Sequence, residues 1–244
     1  MSRIGCWDAD FIPFYVCHNK RYESGVIEKT LEDCIKGCDS LLNNINKSIK
    51  ADSFVGFITK GKCFRYKIYP EYKGNRKYDN MPKYMNEVRT YMVEKYGFIG
   101  VEGLEADDLV VSYKKLNKDD EVIIVSPDKD LLNLEGTNYN PKKNEHVTIT
   151  AEEAERYFWT SMLVGDTADN IKGVKGIGPV AASKIINNTI NWRSEVLESY
   201  CRVYGEQDGI TEFYKCYKCL HILDDINKET FDNVTLNKIE VLSE

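Results

Sequence analysis

The chain has 244 residues, 42% of them apolar and 30% charged, with a formal net charge of −6. That length can bury a sizeable core in one large domain or two small ones. No run of eighteen apolar residues occurs and the start, MSRIGCWDAD, has no apolar signal segment, so neither a membrane span nor secretion is expected. The expected setting is therefore cytoplasmic, and the eight cysteines (6, 17, 34, 38, 63, 201, 216, 219) are expected as thiols. Cys216 and Cys219 form a lone CxxC, and His221 does not complete a zinc site with them.

Residues 3–7, RIGCW, read as a short strand ending at Asp8. Leu31, Cys34, Ile35, Cys38, Leu41, Leu42 and Ile45 recur at helical spacing and predict a helix over 29–49. FVGFI (54–58) reads as a second buried strand, and residues 64–79 are basic and aromatic. Pro82 is expected to start a helix with Met85, Val88, Met92 and Tyr96 on one face. Another helix is expected over 105–116 and a third strand at EVIIV, 121–125. Strands alternating with helices predict an α/β fold with a mostly parallel sheet. Thr150 and Glu153 make a capping box for a helix over 151–164 that Gly165 closes. A glycine-rich hairpin, Gly173 to Gly178, then opens a helix at Pro179. Beyond Asn191 the chain reads as helical, with Tyr200, Tyr204, Phe213, Tyr214 and Tyr217 as packing candidates. The last twenty residues are weakly patterned and are expected to be loosely held.

Chemistry concentrates in the acids. Asp8 ends the first strand and Asp128 follows the third, and in open α/β sheets ligands bind beyond the carboxyl ends of strands. Asp128 and Asp130, two apart, would point the same way on an extended backbone. Glu105 and Asp108 share a face at a helix start, with Asp107 turned about 100° away. Asp166 and Asp169 form a further pair, just upstream of the glycine hairpin. Converging carboxylates repel, and a hard divalent cation, Mg²⁺ or Mn²⁺, relieves that. Setting these eight aside leaves 31 acids against 33 bases, a weakly basic shell around an acidic pocket. Backbone amides where a helix opens after a glycine hairpin suit a phosphate. EYKGNRK adds Tyr72, Lys73, Arg76 and Lys77, with cations for phosphates and a ring for stacking; Arg89 could assist, while Lys172, Lys175 and Lys184 flank the hairpin. No base-reading element is evident, so shape and charge would guide binding.

WDAD (7–10), YPEYKGNRK (69–77), GLEADDL (103–109), SPDKDLLNL (126–134) and GDTADNIKGVKGIGPVAA (165–182) together resemble the 5′-nuclease family. That family includes flap endonucleases, the 5′–3′ exonuclease domain of bacterial DNA polymerases and bacteriophage 5′ exonucleases; the compact chain is most similar to the bacteriophage members. The resemblance implies a PIN-like α/β core over 1–150 with a short basic arch segment at about 70–98. It implies a helix-hairpin-helix (H3TH-type) module and helical C-terminal region over 151–244. It further implies two metal ions, one toward Asp8, Glu105, Asp107 and Asp128, the other toward or near Asp108, Asp130, Asp166 and Asp169. Lys73 and Arg76 would be catalytic, with Lys73 at the scissile phosphate and Tyr72 stacked on an end nucleotide. Gly176 and Gly178 would belong to the DNA-binding hairpin, which could also hold K⁺ on its carbonyls. The implied partners are branched, nicked or 5′-ended DNA, an RNA–DNA hybrid, and a replication polymerase or single-strand-binding protein, for a monomer in the host cytoplasm. One departure stands out: Thr59 and Lys60 lie where the family often carries an acid after the second strand, with Asp10 as a candidate replacement. A PIN-type ribonuclease and a non-catalytic junction binder remain the alternative readings.

Overall fold

The structure, a computed structural model, describes residues 1–22, 25–76, 79 and 81–239. β1 (Arg3–Asp8) is buried along nearly its whole length, because a central parallel strand has both faces covered. α1 (Phe11–Cys17) follows at once, then a small antiparallel pair, β2 (Lys20–Tyr22) and β3 (Gly25–Ile27). α2 (Leu31–Ser48) starts at a capping box between Thr30 and Asp33 and buries Cys34, Cys38, Leu42 and Ile45. β4 (Ser53–Phe57) pairs parallel to β1, from Ile4 opposite Ser53 to Asp8 opposite Phe57. A one-turn helix, α3 (Arg65–Ile68), opens the basic segment. α4 (Met85–Tyr96) begins three residues after Pro82, not at it. Tyr84 holds a left-handed φ of 69°, which no right-handed helix accommodates, so Pro82 belongs to the approach.

α5 (Ala106–Leu116) and β5 (Glu121–Val125) lie where the sequence put them. The one-turn α6 (Lys129–Leu132) replaces the extended Asp-x-Asp segment expected there. β6 (Gly136–Asn140) and β7 (Glu145–Ile149) form a hairpin that the sequence reading did not mark. Only three residues of β6 are buried and β7 is largely exposed, so neither shows a clean alternation. α7 (Ala151–Val164) uses the expected Thr150–Glu153 box and ends at Gly165, φ 79°. β8 (Gly165–Asp166) and β9 (Ile171–Lys172) then pair, bringing two backbones so close that a Cβ on Gly173 would lie 2.3 Å from the Leu163 carbonyl oxygen. α8 (Pro179–Asn187), α9 (Trp192–Tyr204) and α10 (Glu206–Leu220) complete the helical region, and β10 (Asn237–Lys238) returns to the sheet.

The main sheet runs β10-β4-β1-β5-β6-β7, with β4, β1, β5 and β6 parallel and the two edge strands antiparallel. Trp7, Leu42, Phe54 and Met92 pack under α1, α2 and α4 on one face; Val55, Phe57, Leu109 and Ile124 pack with α5 on the other. A third apolar cluster, with Trp159, Met162, Ile186, Tyr200 and Phe213, holds the helical region together. Tyr204 and Tyr217 are partly buried in it, while Tyr214 is 44% exposed and meets it edge-on at Phe213. Cys63 and Tyr72, from the basic segment, join this helical cluster. Ile226, Phe231 and Val234 pack back on the sheet, so the segment expected to be loose is anchored as far as residue 239. All eight cysteines are free thiols, seven of them buried.

Candidate metal centre and nucleic-acid interface

The parallel sheet delivers two carboxylates, Asp8 and Asp128, to one end, and the start of α5 adds Asp107. Asp8 closes β1 with 6% exposure; its Oδ2 accepts from Ser126 Oγ at 2.9 Å and its Oδ1 from the Asp10 amide at 3.2 Å. Asp128 follows β5 as the N-cap of α6, its Oδ1 accepting the Asp130 amide at 2.8 Å. That cap bond turns Asp130 into a helical first turn, so the two acids do not line up as on an extended strand. Asp107 lies in the first turn of α5, with Asp8, Asp128 and Glu105 as charged neighbours and Lys73 opposing them. Burial and then those carboxylates push Asp107 well above the usual carboxylate range. Burial, then Asp10, pushes Asp8 up to about 7.

Asp108 departs from expectation. It is fully buried, and Arg65 grips it with Nη1 at 2.8 Å and Nη2 at 2.7 Å. The Leu223 amide donates to it at 2.9 Å, and the Glu105 amide at 3.1 Å closes a capping box. The helical spacing that puts Glu105 and Asp108 on one face turns both toward Arg65, and Asp107, 100° away, faces the other acids. Asp108 is thereby a structural anchor with its lone pairs engaged, not a free metal ligand. Arg65 was missed because it sits in a basic run; only the apolar pair Cys63–Phe64 before it hinted at burial. Its remaining donors reach the Cys219 and His221 carbonyls, tying the sheet domain to the end of α10.

Glu105 is shared three ways. Its Oε2 accepts from Arg65 at 3.0 Å and from the Tyr72 hydroxyl at 2.8 Å, and Lys73 pairs with its Oε1. Tyr72, 2% exposed, has the same hydroxyl 2.9 Å from Asp169 Oδ2, so its one proton is shared between the two carboxylates, and its ring packs edge-on to Tyr66. The ring is therefore enclosed and offers no open face for stacking on a nucleotide. Burial lowers Lys73, but Glu105 and Asp169 outweigh it, so Lys73 is held above its ordinary range as a cation. Arg76 pairs with Asp169 at 2.7 Å, with its side chain 44% exposed. Lys77 lies outside the described residues.

The other carboxylates carry partners of their own. Tyr157 donates to Asp130 at 2.6 Å, and burial, the largest influence, moves Asp130 up to about 6. Asp166 accepts from Lys129 at 2.7 Å and from the Ala168 and Asp169 amides; burial works against it, but these donors hold it below the usual range. Beside this set, Lys172, Lys175 and Lys184 are exposed around the hairpin. Gly176 has φ 85°, and both it and Gly178 face open space. Arg89 is not free toward solvent: it pairs with Asp10 at 2.9 Å.

Among the described residues, no three His, Cys, Asp or Glu side chains close into a ready-made cation cage. Like charges stay apart until a cation lies between them. The donor set nevertheless fits a hard divalent ion. It is all oxygen, and Asp8, Asp107 and Asp128 take part in none of the ion pairs found among the described residues.

Residues 13–158 match the family described as 5′–3′ exonuclease, N-terminal resolvase-like domain. The chain belongs to that 5′–3′ exonuclease family. The match ends before Asp166 and Asp169 and begins after Asp8, so those three members of the site lie outside it. The chain is 32% identical to the 5′–3′ exonuclease of Buchnera aphidicola over 176 residues, 64% of this chain and 60% of that one. It is 31% identical to DNA polymerase I of Deinococcus radiodurans over 166 residues, 62% of this chain but 17% of the polymerase. It thus spans between about a seventh and two thirds of the length of such curated relatives. Among solved structures, the bacteriophage T5 flap endonuclease in complex with DNA and metal ions superposes with a TM-score of 0.68 at 21% identity, covering 91% of this chain and 89% of that one. This likeness gives the fold: a PIN-like sheet with a helix-hairpin-helix region.

Proposed function

We propose that this 5′–3′ exonuclease family member is a divalent-metal-dependent 5′-nuclease that hydrolyses phosphodiester bonds at or near 5′ ends of DNA. One observation carries the reading: Asp8, Asp107 and Asp128 are charged neighbours of one another at the carboxyl end of the sheet, and none of the three forms an ion pair among the described residues. Asp8, Asp107 and Asp128, with Glu105 beside them, would hold one ion, and Asp130, Asp166 and Asp169 a second. Mg²⁺ or Mn²⁺ bound there would lower the pKa of an attacking water and steady the leaving 3′ oxygen.

The chain's own residues do the rest. Lys73 and Arg76 present positive charge to the phosphate, where they oppose charge that grows in the transition state. Tyr72 locks Glu105 to Asp169 and so fixes the spacing between the two acidic sets; this role replaces nucleotide stacking. Lys172, Lys175 and Lys184 hold duplex phosphates, and the backbone at Gly176 and Gly178 approaches one closely. K⁺ on the hairpin carbonyls, an RNA–DNA hybrid substrate, a monomeric state and a replication polymerase or single-strand-binding partner belong to the same reading. Among the described residues, no helix is long and apolar enough to cross a membrane.

The test is a labelled set of flap, nicked, blunt and RNA–DNA substrates, with and without Mg²⁺. Cleavage from 5′ ends that needs the metal and falls at least a hundredfold in Asp128→Asn and Asp166→Asn is expected. Binding of junctions with no turnover in Mg²⁺ or Mn²⁺ would instead establish the non-catalytic reading.

A further inference from the structure

A connected hydrogen-bond path leads from α4 to the acidic pocket through groups that the proposed chemistry does not use. Arg89 Nη1 donates to Asp10 Oδ1 at 2.9 Å, and its Nη2 donates to the Thr59 carbonyl at 2.5 Å. The Thr59 amide donates to the same Asp10 oxygen at 3.0 Å. From there the path divides. The Asp10 amide donates to Asp8 Oδ1 at 3.2 Å, and Thr59 Oγ1 accepts the Ala106 amide at 3.0 Å. Ala106 is the first residue of α5, between Glu105 and Asp107, and its amide is one of the helix-start donors with no partner inside the helix. One guanidinium thus binds two acceptors on the loops after β1 and β4, and each loop passes a bond on to a carboxylate-bearing turn. α4 is fixed by Val88 and Met92, both fully buried. The basic segment with Lys73 and Arg76 leads into this helix.

We infer that Arg89 is a positioning residue rather than a phosphate contact. Its fork holds Asp10 and Thr59, which in turn set where Asp8 and the Glu105–Asp107 turn stand. Two of its five N–H donors are already given to acceptors inside the protein, and its side chain is only 28% exposed. Lysine cannot reproduce the fork, because an ammonium is a point charge without a planar pair of donors. Removing a side chain that orients ligands typically costs about 10–100-fold in metal affinity or activity. The activity and metal arms of the test rest on the nuclease reading; the exchange arm does not.

The experiment uses the full chain and its Arg89→Ala and Arg89→Lys variants. In the metal-free protein, amide exchange at Thr59 and Ala106 is expected to speed up about tenfold or more in Arg89→Ala, with Val110, deeper in α5, unchanged. In MgCl₂ titrations followed by thermal melting, the Mg²⁺ midpoint is expected to rise about tenfold. In single-turnover cleavage, the rate at saturating DNA is expected to fall 10–100-fold while the half-saturating DNA concentration moves less than threefold. Arg89→Lys should recover less than half of each effect on a logarithmic scale. A loss confined to DNA affinity, with exchange and Mg²⁺ midpoint unchanged, overturns the inference in favour of a phosphate contact. A lower melting temperature alone, with all three readouts unchanged, also overturns it. If the parent shows neither cleavage nor an Mg²⁺-dependent melting shift, the nuclease reading fails by itself, and exchange at Ala106 still decides the role of Arg89.

Discussion

Asp107 and Asp108 are neighbours in the chain with opposite surroundings. Asp108 is held by Arg65 and two amides, whereas Asp107 faces other carboxylates. Neutralising them should therefore act in opposite directions on the metal-free protein. Asp108→Ala leaves the buried Arg65 charge short of its main partner, which costs about 3–5 kcal/mol. Asp107→Asn removes repulsion and should raise the melting temperature. The pH dependence follows from Asp8, which burial and then Asp10 raise to about 7. A carboxyl raised in the folded state binds its proton more tightly there than in the unfolded chain. Its contribution to stability is full below about pH 4 and is lost as pH rises toward about 7. Melting in EDTA across that window should show a decline that Asp8→Asn flattens and Mg²⁺ reverses. A metal-free Asp107→Asn protein less stable than its parent would mark that carboxylate as structural.

At the scale of elements, the hairpin between α7 and α8 separates two uses of glycine. Gly165 and Gly173 are required by backbone contact: a Cβ on Gly173 meets the Leu163 carbonyl oxygen at 2.3 Å and the Gly165 nitrogen at 2.4 Å. Gly173→Ala should cost about 1–3 kcal/mol, the usual range for overpacking against atoms that cannot move aside. Gly178 has open space around it and an extended backbone, φ −94° and ψ 178°, at the N-cap of α8. A serine there caps the helix and should stabilise by about 0.3 kcal/mol. If the hairpin backbone approaches a phosphate, the same Gly178→Ser protein binds duplex DNA more weakly despite being more stable. Urea unfolding and DNA titration on the two variants check both outcomes. Equal DNA affinity in Gly178→Ser and parent would count against a close backbone approach at that residue.

At the scale of the whole molecule, the chain end holds two regions together. After α10 it turns back across the sheet, where Phe231 meets Phe57 and Tyr113, each at 5.8 Å between ring centroids, before β10 pairs with β4. Arg65 makes the second tie, from Asp108 to the carbonyls of Cys219 and His221. Phe231→Ala should cost about 2 kcal/mol, below the 3–5 of a fully enclosed phenylalanine because this ring is only partly buried. Its effect should appear in the sheet: exchange protection in β4 should fall while α9 keeps its own. A uniform loss over both regions would show that the molecule unfolds as one unit.

Local order was legible in the sequence wherever neighbouring residues decide it. The central strands, α2, α5 and α7 follow from apolar runs, helical spacing and capping boxes, interactions within a few residues of one another. The eight acids stand out in the sequence as like charges in short motifs. Which of them face the pocket was decided only by the tertiary structure. The spacing of Glu105, Asp107 and Asp108 fixes their relative angles, but Arg65, forty residues before Glu105, determines which side of the helix is turned inward. Tyr72 gave no sign of burial, because its partners Glu105 and Asp169 lie 33 and 97 residues away. The β6–β7 hairpin and the returning chain end were illegible for the same reason. Their stability comes from a surface that exists only once the sheet has formed, and a residue's pattern with its sequence neighbours carries no record of that surface.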